Sequence, residues 1–424
     1  MRLKLPYGRT SLECTLPKHR VNGVLRGRLD SYVPSGEPEQ LVIDSMNHPC
    51  ASLPLWQLAQ GKQKVVLIAS DHTRPVPSKV IVPEMLRQIR AGSPDADITI
   101  LIATGCHRGT RLEELEEKFG SEIVAREKIL VHDCEDEDNL ITIGTLPSGG
   151  ELRINRLAAE ADLLVAEGFI EPHFFAGFSG GRKSVLPGIA SRTCVHYNHN
   201  SGFMDDPHAR AGVLENNPIH RDMLYAAKAI NLAYIVNVVI NSQKQVIASF
   251  AGDCEQAHLE GTRFVMEQMG CFAIPADVVI TTNNGYPLDQ NVYQMVKGMS
   301  TAEAACRDGG VIIAVGQCGD GIGGESFLRM FRECRSASEL LRKFRDTPPE
   351  ETVTDQWQAH ILARILEHHT VILVSDVDPE LVRMLNMYPA SDMEESLKIA
   401  AQILGREDYD ITVIPEGISV IVTP

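Results

Sequence analysis

One stretch of the chain, residues 168–184, reads Gly168-Phe169-Ile170-Glu171-Pro172-His173-Phe174-Phe175-Ala176-Gly177-Phe178-Ser179-Gly180-Gly181-Arg182-Lys183-Ser184. It follows residues 161–167, which have the length and composition of a buried strand. Open α/β sheets bind their ligands in loops that begin where such strands end. The stretch therefore predicts an α/β fold with a functional loop at a sheet edge. We expect that so flexible a loop does not bury all of its aromatic rings by itself.

The glycines of this loop indicate a backbone that approaches a ligand closely. Gly177, Gly180 and Gly181 accept positive φ, and N–H groups in such loops bind phosphate, although an ordinary glycine-rich turn explains the composition equally well. The stretch also approximates a P-loop, but that pattern requires glycine before the lysine, where Arg182 stands. We interpret Lys183 as a functional amine and keep the P-loop as the weaker alternative.

Composition and charge limit the possible partners. The 424 residues are 44% hydrophobic and 23% charged, which is typical of a globular enzyme of two or three domains. A net charge of −16 disfavours nucleic acid and anionic membranes, and no apolar run approaches the roughly 20 residues of a membrane span. The ten cysteines form no C-x-x-C pair, which disfavours structural zinc and disulfides. These features predict a cytoplasmic protein.

Two further buried runs end in polar loops. Residues 64–69 lead to Asp71 and Arg74, and residues 97–102 lead to His107. Arginine holds a carboxylate with two hydrogen bonds, so Arg74 suits a small anionic substrate. The alternatives are a simple Asp71–Arg74 pair and a surface histidine. Because three strand-to-loop junctions would meet at one sheet edge, a common site is favoured.

His196 and His199 are three residues apart, a spacing that places both on one face of a helix. Two histidines do not complete a protein metal site, and polar surface histidines are an equally good reading of the spacing. If a metal binds, one or two histidines with ligands from a cofactor fit better than a site built only from protein.

A fresh alternation of strands and helices begins near residue 270. We predict an N-terminal α/β domain, residues 1–270, that carries the loop, and a smaller C-terminal α/β domain, residues 271–424, that closes an interdomain active-site cleft. Mostly parallel sheets are expected in both, with short antiparallel strands in residues 2–29. Tyr293 and Lys297 are four residues apart and share one face of a predicted helix. They are candidate functional residues, and the alternative is that this face is simply exposed to solvent. Residues 319–324 fit G-x-G-x-x-G, but Glu339, about 20 residues on, lies in a helical pattern rather than at a strand end.

The motifs 70–75, 103–108 and 171–183 together resemble the nickel-dependent lactate racemase family. The resemblance covers essentially the whole chain, because His199, the segment from Tyr293 and Gln294 to Lys297, and Trp357 also match in place and order. The motifs are long and unusual, and therefore specific for the family. They do not identify one 2-hydroxy acid, since relatives act on different ones.

The resemblance implies a cofactor and a role for each matching residue. Lys183 would carry nickel bound to pyridinium-3-thioamide-5-thiocarboxylic acid mononucleotide, a pincer nucleotide, and His199 would be the protein ligand of the metal. His107 and His173 match the acid/base pair, and Arg74 binds the substrate carboxylate. Further pocket residues would be Asp71, Lys297, Gln294, Tyr293 and Trp357. From the loop chemistry we predict that Phe174, Phe175 or Phe178 lies against the pyridinium ring, and that the loop around Ser179 and Gly180 receives the phosphate.

The predicted function is racemisation of a small 2-hydroxy acid, most simply D- and L-lactate. Hydride transfer to the cofactor avoids a carbanion at a weakly acidic Cα, and histidine suits the accompanying proton transfer because its pKa lies near neutrality. The alternatives are a racemase or epimerase of another hydroxy acid, a nucleotide-dependent phosphotransferase, and a protein that binds the nickel cofactor without turnover. Proteins that make the cofactor are the expected partners.

Overall fold

The structure is a computed structural model that describes residues 1–423. The chain divides into two compact units, each described separately below. The N-unit comprises Leu29–Asn198 and Gly212–Glu267, and the C-unit comprises Met1–Arg28, His199–Ala211 and the chain from Gln268 onward. The break at Gln268 lies two residues before the predicted boundary at 270. Two earlier segments belong to the C-unit because of tertiary contacts rather than chain order.

The strands are, in chain order, β1 (Arg2–Tyr7), β2 (Thr10–Thr15), β3 (Val21–Val24), β4 (Lys64–Ser70), β5 (Asp97–Ala103), β6 (Lys128–Val131), β7 (Leu140–Thr145), β8 (Glu151–Asn155), β9 (Leu163–Phe169), β10 (Pro172–His173), β11 (Gly177–Phe178), β12 (Leu232–Ile240), β13 (Val246–Gly252), β14 (Gly270–Phe272), β15 (Ala276–Thr282), β16 (Cys306–Val315), β17 (Thr370–Val374), β18 (Tyr388–Ala390), β19 (Ile411–Ile414) and β20 (Ile421–Thr423).

The helices are α1 (Pro38–Asn47), α2 (Leu55–Leu58), α3 (Ser78–Gly92), α4 (Leu112–Phe119), α5 (Ser121–Arg126), α6 (Arg156–Ala159), α7 (Arg192–Asn198), α8 (Ser201–Asp205), α9 (Pro218–Ala229), α10 (Gln256–Met269), α11 (Val292–Glu303), α12 (Glu325–Arg332), α13 (Ala337–Arg345), α14 (Gln356–His368), α15 (Pro379–Met384) and α16 (Met393–Leu404). A short 3₁₀ turn spans Gly181–Ser184.

The N-unit is built on a six-stranded sheet in the order β13-β12-β9-β4-β5-β6. The ladders from β12 to β6 are parallel, and only the β12–β13 hairpin is antiparallel among the sheet's described strands. The central strands β9, β4 and β5 are runs of Val, Ile and Leu that are buried almost throughout, as expected for parallel strands covered on both faces. The mostly parallel α/β fold is thus confirmed.

The C-unit has a second six-stranded sheet, in the order β18-β17-β16-β15-β19-β3, and all of its ladders are parallel. The predicted antiparallel pairing near the start of the chain is confirmed for β1 and β2. It is wrong for β3, which pairs parallel with β19 as Ile411↔Val21. The partner strand lies almost a chain length away, so local sequence carries no signal for this pairing.

The stretch that follows β9 is more regular than a flexible loop. The strand continues to Phe169, and a small antiparallel hairpin of β10 and β11 follows, with His173 opposite Gly177. Of its aromatic rings, Phe169, Phe175 and Phe178 are buried, and Phe174 is half-buried.

Candidate active site

Three neighbouring strands of the N-unit sheet carry candidate residues where they end. Because β9, β4 and β5 are adjacent and parallel, their carboxyl ends lie at the same edge of the sheet. The loops after β5 and β9 are also joined directly, since the Gly105 N–H donates to the Gly188 carbonyl at 2.9 Å. The predicted site residues in this unit are Asp71, Arg74, His107, His173, Phe175, Ser179, Gly180 and Lys183.

Asp71 and His107 form a hydrogen-bonded pair. The carboxylate of Asp71 is buried, and its Oδ2 lies 2.7 Å from Nδ1 of His107, whose side chain is 44% exposed. The other oxygen, Oδ1, accepts from the Thr73 hydroxyl at 2.7 Å and the Thr73 N–H at 3.2 Å. One end of the imidazole is therefore held by a buried carboxylate while the ring remains accessible.

The charge of Asp71 fixes the tautomer of His107. Burial raises the pKa of Asp71, but the hydrogen bonds from His107 and Thr73 and the positive charge of Arg74 outweigh burial and hold that pKa below its ordinary value. An ionised carboxylate only accepts hydrogen bonds, so Nδ1 of His107 carries a proton. In the neutral ring Nε2 is then unprotonated, and His107 is prepared to accept a proton there.

Arg74 is exposed in the same loop, and its N–H donates to the Asp71 carbonyl at 3.3 Å. Its guanidinium acts on Asp71 through charge, whereas the direct side-chain partners of Asp71 are His107 and Thr73. The alternative in which Asp71 and Arg74 only pair with each other is therefore not what the structure shows. An accessible guanidinium beside an oriented histidine suits an anionic substrate.

Glu167 is a functional neighbour that the sequence analysis missed. It is 1% exposed on β9, and its Oε1 accepts from the backbone N–H and the hydroxyl of Ser70, both at 2.9 Å. Its Oε2 accepts from the hydroxyl of Ser78, the first residue of α3, at 3.1 Å. The carboxylate thus holds both ends of the loop that contains Asp71 and Arg74. The only signal in the sequence was a glutamate within an otherwise apolar strand.

The hairpin loop brings His173 and Lys183 to the same phenylalanine. The rings of His173 and Phe175 meet edge to face with centroids 4.4 Å apart. The Nζ of Lys183 lies 5.7 Å from the centroid of the Phe175 ring. A buried ring therefore supports both the histidine and the amine, which are ten residues apart in sequence.

The tautomer of His173 is opposite to that of His107. Its Nδ1 accepts a hydrogen bond from the Ala176 N–H at 3.3 Å, and an accepting nitrogen carries no proton. In the neutral ring the proton is then on Nε2. The two rings are therefore held in opposite neutral tautomers, with the proton on Nδ1 in His107 and on Nε2 in His173.

Ser179 and Gly180 serve the fold of the loop. The Ser179 hydroxyl donates to the Phe169 carbonyl at 3.0 Å and accepts from the Glu171 N–H at 2.9 Å, which closes the base of the hairpin. Gly177, Gly180 and Gly181 have positive φ, as predicted. The Gly181 N–H donates to Oδ1 of Asn237 at 2.7 Å, so part of the expected phosphate cradle is used within the protein.

His199 and Trp357 are neighbours in the C-unit. His199 is buried, and its ring meets the indole of Trp357 edge to face at 5.1 Å. The predicted shared helix face of His196 and His199 is wrong, because α7 ends at Asn198. Asn200 caps the next helix, α8, by accepting from the Phe203 N–H at 3.0 Å, so the chain turns at His199.

The segment that contains His199 is fastened to α14, the helix that contains Trp357. Nε2 of Gln356 donates to the Ser201 hydroxyl at 3.1 Å, and Arg364 donates to the Met204 carbonyl at 3.0 Å. Nε2 of the buried His360 lies 2.9 Å from Oδ1 of Asp205. These contacts explain why residues 199–211 belong to the C-unit.

Tyr293, Gln294 and Lys297 are half-buried on α11 of the C-unit. The helix is capped by Asn291, whose side chain accepts from the Gln294 N–H at 3.0 Å. The ring of Tyr293 meets Phe327 edge to face at 5.5 Å. The C-unit therefore gathers the remaining predicted site residues, which are His199, Tyr293, Gln294, Lys297 and Trp357.

Across residues 1–423, no helix is long and apolar enough to cross a membrane. In the same part of the chain, His, Cys, Asp and Glu side chains do not form a group of three that could hold a metal ion.

Comparison with known proteins shows the family of the chain. Residues 7–212 match the lactate racemase N-terminal domain and residues 271–422 match the lactate racemase C-terminal domain. The chain is 54% identical to a lactate racemase of Thermoanaerobacterium thermosaccharolyticum and 48% identical to one of Lactiplantibacillus plantarum, each over 421 residues and 99% of both chains.

Solved structures give the same result. The lactate racemase apoprotein from T. thermosaccharolyticum superposes with a TM-score of 0.96 at 53% identity, with complete coverage of both chains. A Thermotoga maritima protein has a TM-score of 0.63 at 21% identity, over 92% of this chain and 100% of that one, which shows a shared fold.

These similarities show that the protein is an isomerase and, within that class, a racemase. The chain belongs to the lactate racemase family, which confirms the resemblance found in the sequence.

Proposed function

We propose that this protein interconverts D- and L-lactate by hydride transfer with a nickel-pincer nucleotide attached to Lys183. The substrate is that of the curated relatives at 54% and 48% identity. The observation that carries the proposal is the cluster around Phe175. In this cluster the amine of Lys183, the proposed attachment point, and the ring of His173 both pack against the buried ring of Phe175.

The residues of the N-unit perform the proton transfers and hold the substrate. The cofactor, held by Lys183, would supply a reversible hydride acceptor for the Cα hydrogen of the substrate. His107 takes the hydroxyl proton at Nε2, and Asp71 stabilises the resulting imidazolium through Nδ1–H. For the reverse transfer His173 would act as the imidazolium and give its Nε2 proton to the keto oxygen, which requires Nδ1 to be protonated and to release the Ala176 N–H. Arg74 holds the carboxylate throughout, so that the substrate turns without leaving.

Several features of the protein fit the cofactor. The amine of Lys183 over Phe175 suits covalent attachment beside an aromatic surface on which a pyridinium ring stacks. His199 would supply one imidazole nitrogen to the nickel, and the remaining donors would come from the cofactor. Imidazole is a ligand that suits Ni(II). The phosphate has fewer obvious partners, because Ser179 and the Gly181 N–H are already bonded.

The phosphotransferase alternative fits the loop poorly. A P-loop directs backbone N–H groups toward the phosphates. Here the carbonyls of Ala176 and Phe178 face inward, toward the guanidinium of Arg182. An inward ring of carbonyls repels phosphate.

All ten cysteines are free, and we place the enzyme in the reducing cytoplasm, where the proteins that make the nucleotide are its expected partners.

An isotope experiment tests the reaction. Protein from a nickel-replete host that also makes the cofactor is given Cα-deuterated L-lactate in H₂O. We expect D-lactate that retains most of its deuterium, because a transferred hydride does not exchange with solvent. Unlabelled substrate in D₂O is the matched control and should gain little label at Cα. Rapid loss of label to solvent would mean proton abstraction and would refute hydride transfer.

A second experiment tests the attachment site. Lys183→Ala and Lys183→Arg should both lack the added mass of the cofactor and lose racemisation, because neither side chain provides the amine for attachment. Lys79→Ala, at an exposed position of α3, is the control and should keep both. Intact-mass spectrometry and chiral chromatography give the two readouts. A Lys183→Ala protein with normal mass gain and activity would overturn the assignment.

A further inference from the structure

Arg182 is buried inside the loop that carries Lys183, with 1% of its surface exposed. Its Nη2 donates to the Ala176 carbonyl at 2.7 Å, and its Nη1 donates to the Phe178 carbonyl at 2.9 Å. The same Nη1 lies 3.4 Å from the Ser179 carbonyl and 3.3 Å from that of Gly180. One guanidinium thus reaches four carbonyls between His173 and Lys183.

Two histidines complete the surroundings of Arg182. Its Nε donates to Nδ1 of His220, on α9, at 3.0 Å. Nε2 of His258, on α10, lies 2.9 Å from Nη1 of Arg182 and 2.8 Å from the Ser179 carbonyl. Burial lowers the pKa of His220 to about 3 and that of His258 well below its ordinary value, so both rings are neutral near pH 7. The neutral ring of His220 accepts from the guanidinium without repelling it, and Nε2 of His258 either accepts from Nη1 or donates to the Ser179 carbonyl, according to its tautomer.

The cluster contains a cation with no carboxylate partner among the residues that the structure describes. Burial lowers the pKa of Arg182 to about 9, which leaves it charged near pH 7. Burying a charge without a counter-charge opposes folding, and an apolar side chain of similar volume would serve stability alone at least as well. The rigid planar fork of arginine instead specifies geometry, because its donors have fixed directions.

That geometry bears on the two functional residues of the loop. The carbonyls bound by Arg182 belong to the segment 176–180, and Lys183 follows Arg182 directly in the 3₁₀ turn. With Arg182 directed into the protein, the Nζ of Lys183 lies over Phe175, against which His173 also packs. Fixing the curvature of the segment fixes the separation of the amine and the acid/base ring.

We propose that Arg182, held by His220 and His258, is a positioning residue that sets Lys183 and His173 at a fixed separation around Phe175. The inference rests on the proposed function only for what Lys183 carries. The residue acts through the loop backbone and needs no contact with substrate or cofactor.

Hydrogen exchange of the full-length chain tests this directly. We compare the parent with Arg182→Lys, which keeps the charge but loses the fork, and Arg182→Met, which loses both. We expect exchange of the amides in residues 176–183 to rise at least tenfold in both variants. Arg364→Met is the matched control, because Arg364 is a buried arginine of the C-unit that donates to the Met204 carbonyl and to the carboxylate of Glu303. It should leave exchange in residues 176–183 unchanged.

Loaded protein provides a second readout. We expect the Arg182 variants to show lower cofactor occupancy by intact mass. Per loaded chain, we expect kcat to fall about 10- to 100-fold while KM changes less than about threefold, because a positioning defect costs rate and Arg74 remains in place. Unchanged exchange and occupancy in both variants, or losses that only follow the thermal midpoint, would overturn the proposal. If the parent itself carries no cofactor, the proposed function fails while the exchange result still decides the role of Arg182.

Variants of His220 keep the test decisive if the Arg182 variants do not fold. His220→Gln retains an acceptor for the Nε of Arg182, and His220→Leu does not. We expect the Leu variant to lose protection in residues 176–183 and the Gln variant to retain most of it. Equal protection in the two would contradict the proposed role.

Discussion

The two six-stranded sheets both present a buried aspartate and a glycine-rich loop where their strands end, yet the two edges use them differently. In the N-unit, the carboxylate of Asp71 faces the accessible ring of His107. In the C-unit, Oδ2 of Asp289 accepts from the backbone N–H groups of Gly8 at 2.7 Å and Gln317 at 3.1 Å. The first carboxylate orients a proton carrier, and the second fastens loops of the fold.

The glycine-rich loops differ in the same way. Residues 176–180 surround the buried fork of Arg182 and place Lys183 over Phe175. Residues 316–324, which contain the G-x-G-x-x-G match, lie against the N-terminus of α11 instead. The carbonyls of Gly321 and Ile322 accept from the first two N–H groups of that helix at 3.0 and 2.9 Å. A glycine pattern after a strand therefore does not identify a ligand site, and the groups that its backbone faces decide the matter.

The largest contrast should come from replacing each aspartate by asparagine. Asp71→Asn removes the charge that sets the tautomer of His107 and stabilises its imidazolium, so we expect kcat to fall about 100-fold or more. Asp289→Asn should reduce activity per loaded chain less than about threefold but lower stability by about 1–3 kcal/mol, since its amide oxygen accepts from the two N–H groups without the carboxylate charge and its NH₂ is buried where Oδ1 has no partner. Chiral assays and urea unfolding measure the two effects. A catalytic loss in Asp289→Asn as large as that in Asp71→Asn would erase the contrast.

A second comparison adds a methyl group to each loop. Gly180 and Gly321 both have positive φ, 76° and 71°. A Cβ on Gly180 would lie 2.7 Å from Oδ1 of Asn237 and 2.8 Å from the Phe169 carbonyl, whereas one on Gly321 meets nothing within 4 Å. We expect Gly180→Ala to destabilise by about 2–4 kcal/mol, from backbone strain and crowding together, and Gly321→Ala by about 1 kcal/mol from strain alone. Equal shifts of the urea midpoints would show that the Gly180 loop is not tightly packed.

The smallest effect concerns pH. The folded-state pKa of His220 is about 3, against an ordinary value of 6.5, because burial and the charge of Arg182 disfavour its protonated form. Between these values the unfolded chain binds more protons, so this histidine makes stability fall as the pH drops from about 6.5 toward 3. His220→Gln should reduce the dependence of the urea midpoint on pH in that window. A slope equal to that of the parent would show that His220 is protonated in the folded protein.

Much of the fold was predictable because short segments of sequence specify its strands and helices. The strands β4, β5 and β9 are apolar runs of the expected length, and Asn217 followed by Pro218 is a local signal at the start of α9. The side chain of Asn217 accepts from the N–H groups of Ile219 and His220, as a capping residue does. The parallel order of neighbouring strands then predicted which loops share an edge.

The site was predictable as a set of residues but not as an arrangement. The sequence placed His107, His173 and Lys183 in loops after strands, and their roles remain predictions that the proposed variants will test. The opposite tautomers of the two histidines depend on Asp71 and on the Ala176 N–H, which only folding brings to them. The parts played by Glu167 and Arg182 were missed because hydropathy patterns assign charged side chains to the surface.

The sequence alone thus determined the alternation of strands and helices, the loops that bear chemistry and, through long unusual motifs, the resemblance to the lactate racemase family. These properties depend on hydrophobic period and on residue identity, which need no partner. Only the tertiary structure decided that residues 172–178 form a hairpin and that the carbonyls of Ala176 and Phe178 bind the buried guanidinium of Arg182. The physical reason is that a buried charge takes its direction from acceptors that other segments supply, here the loop carbonyls and two histidines from α9 and α10.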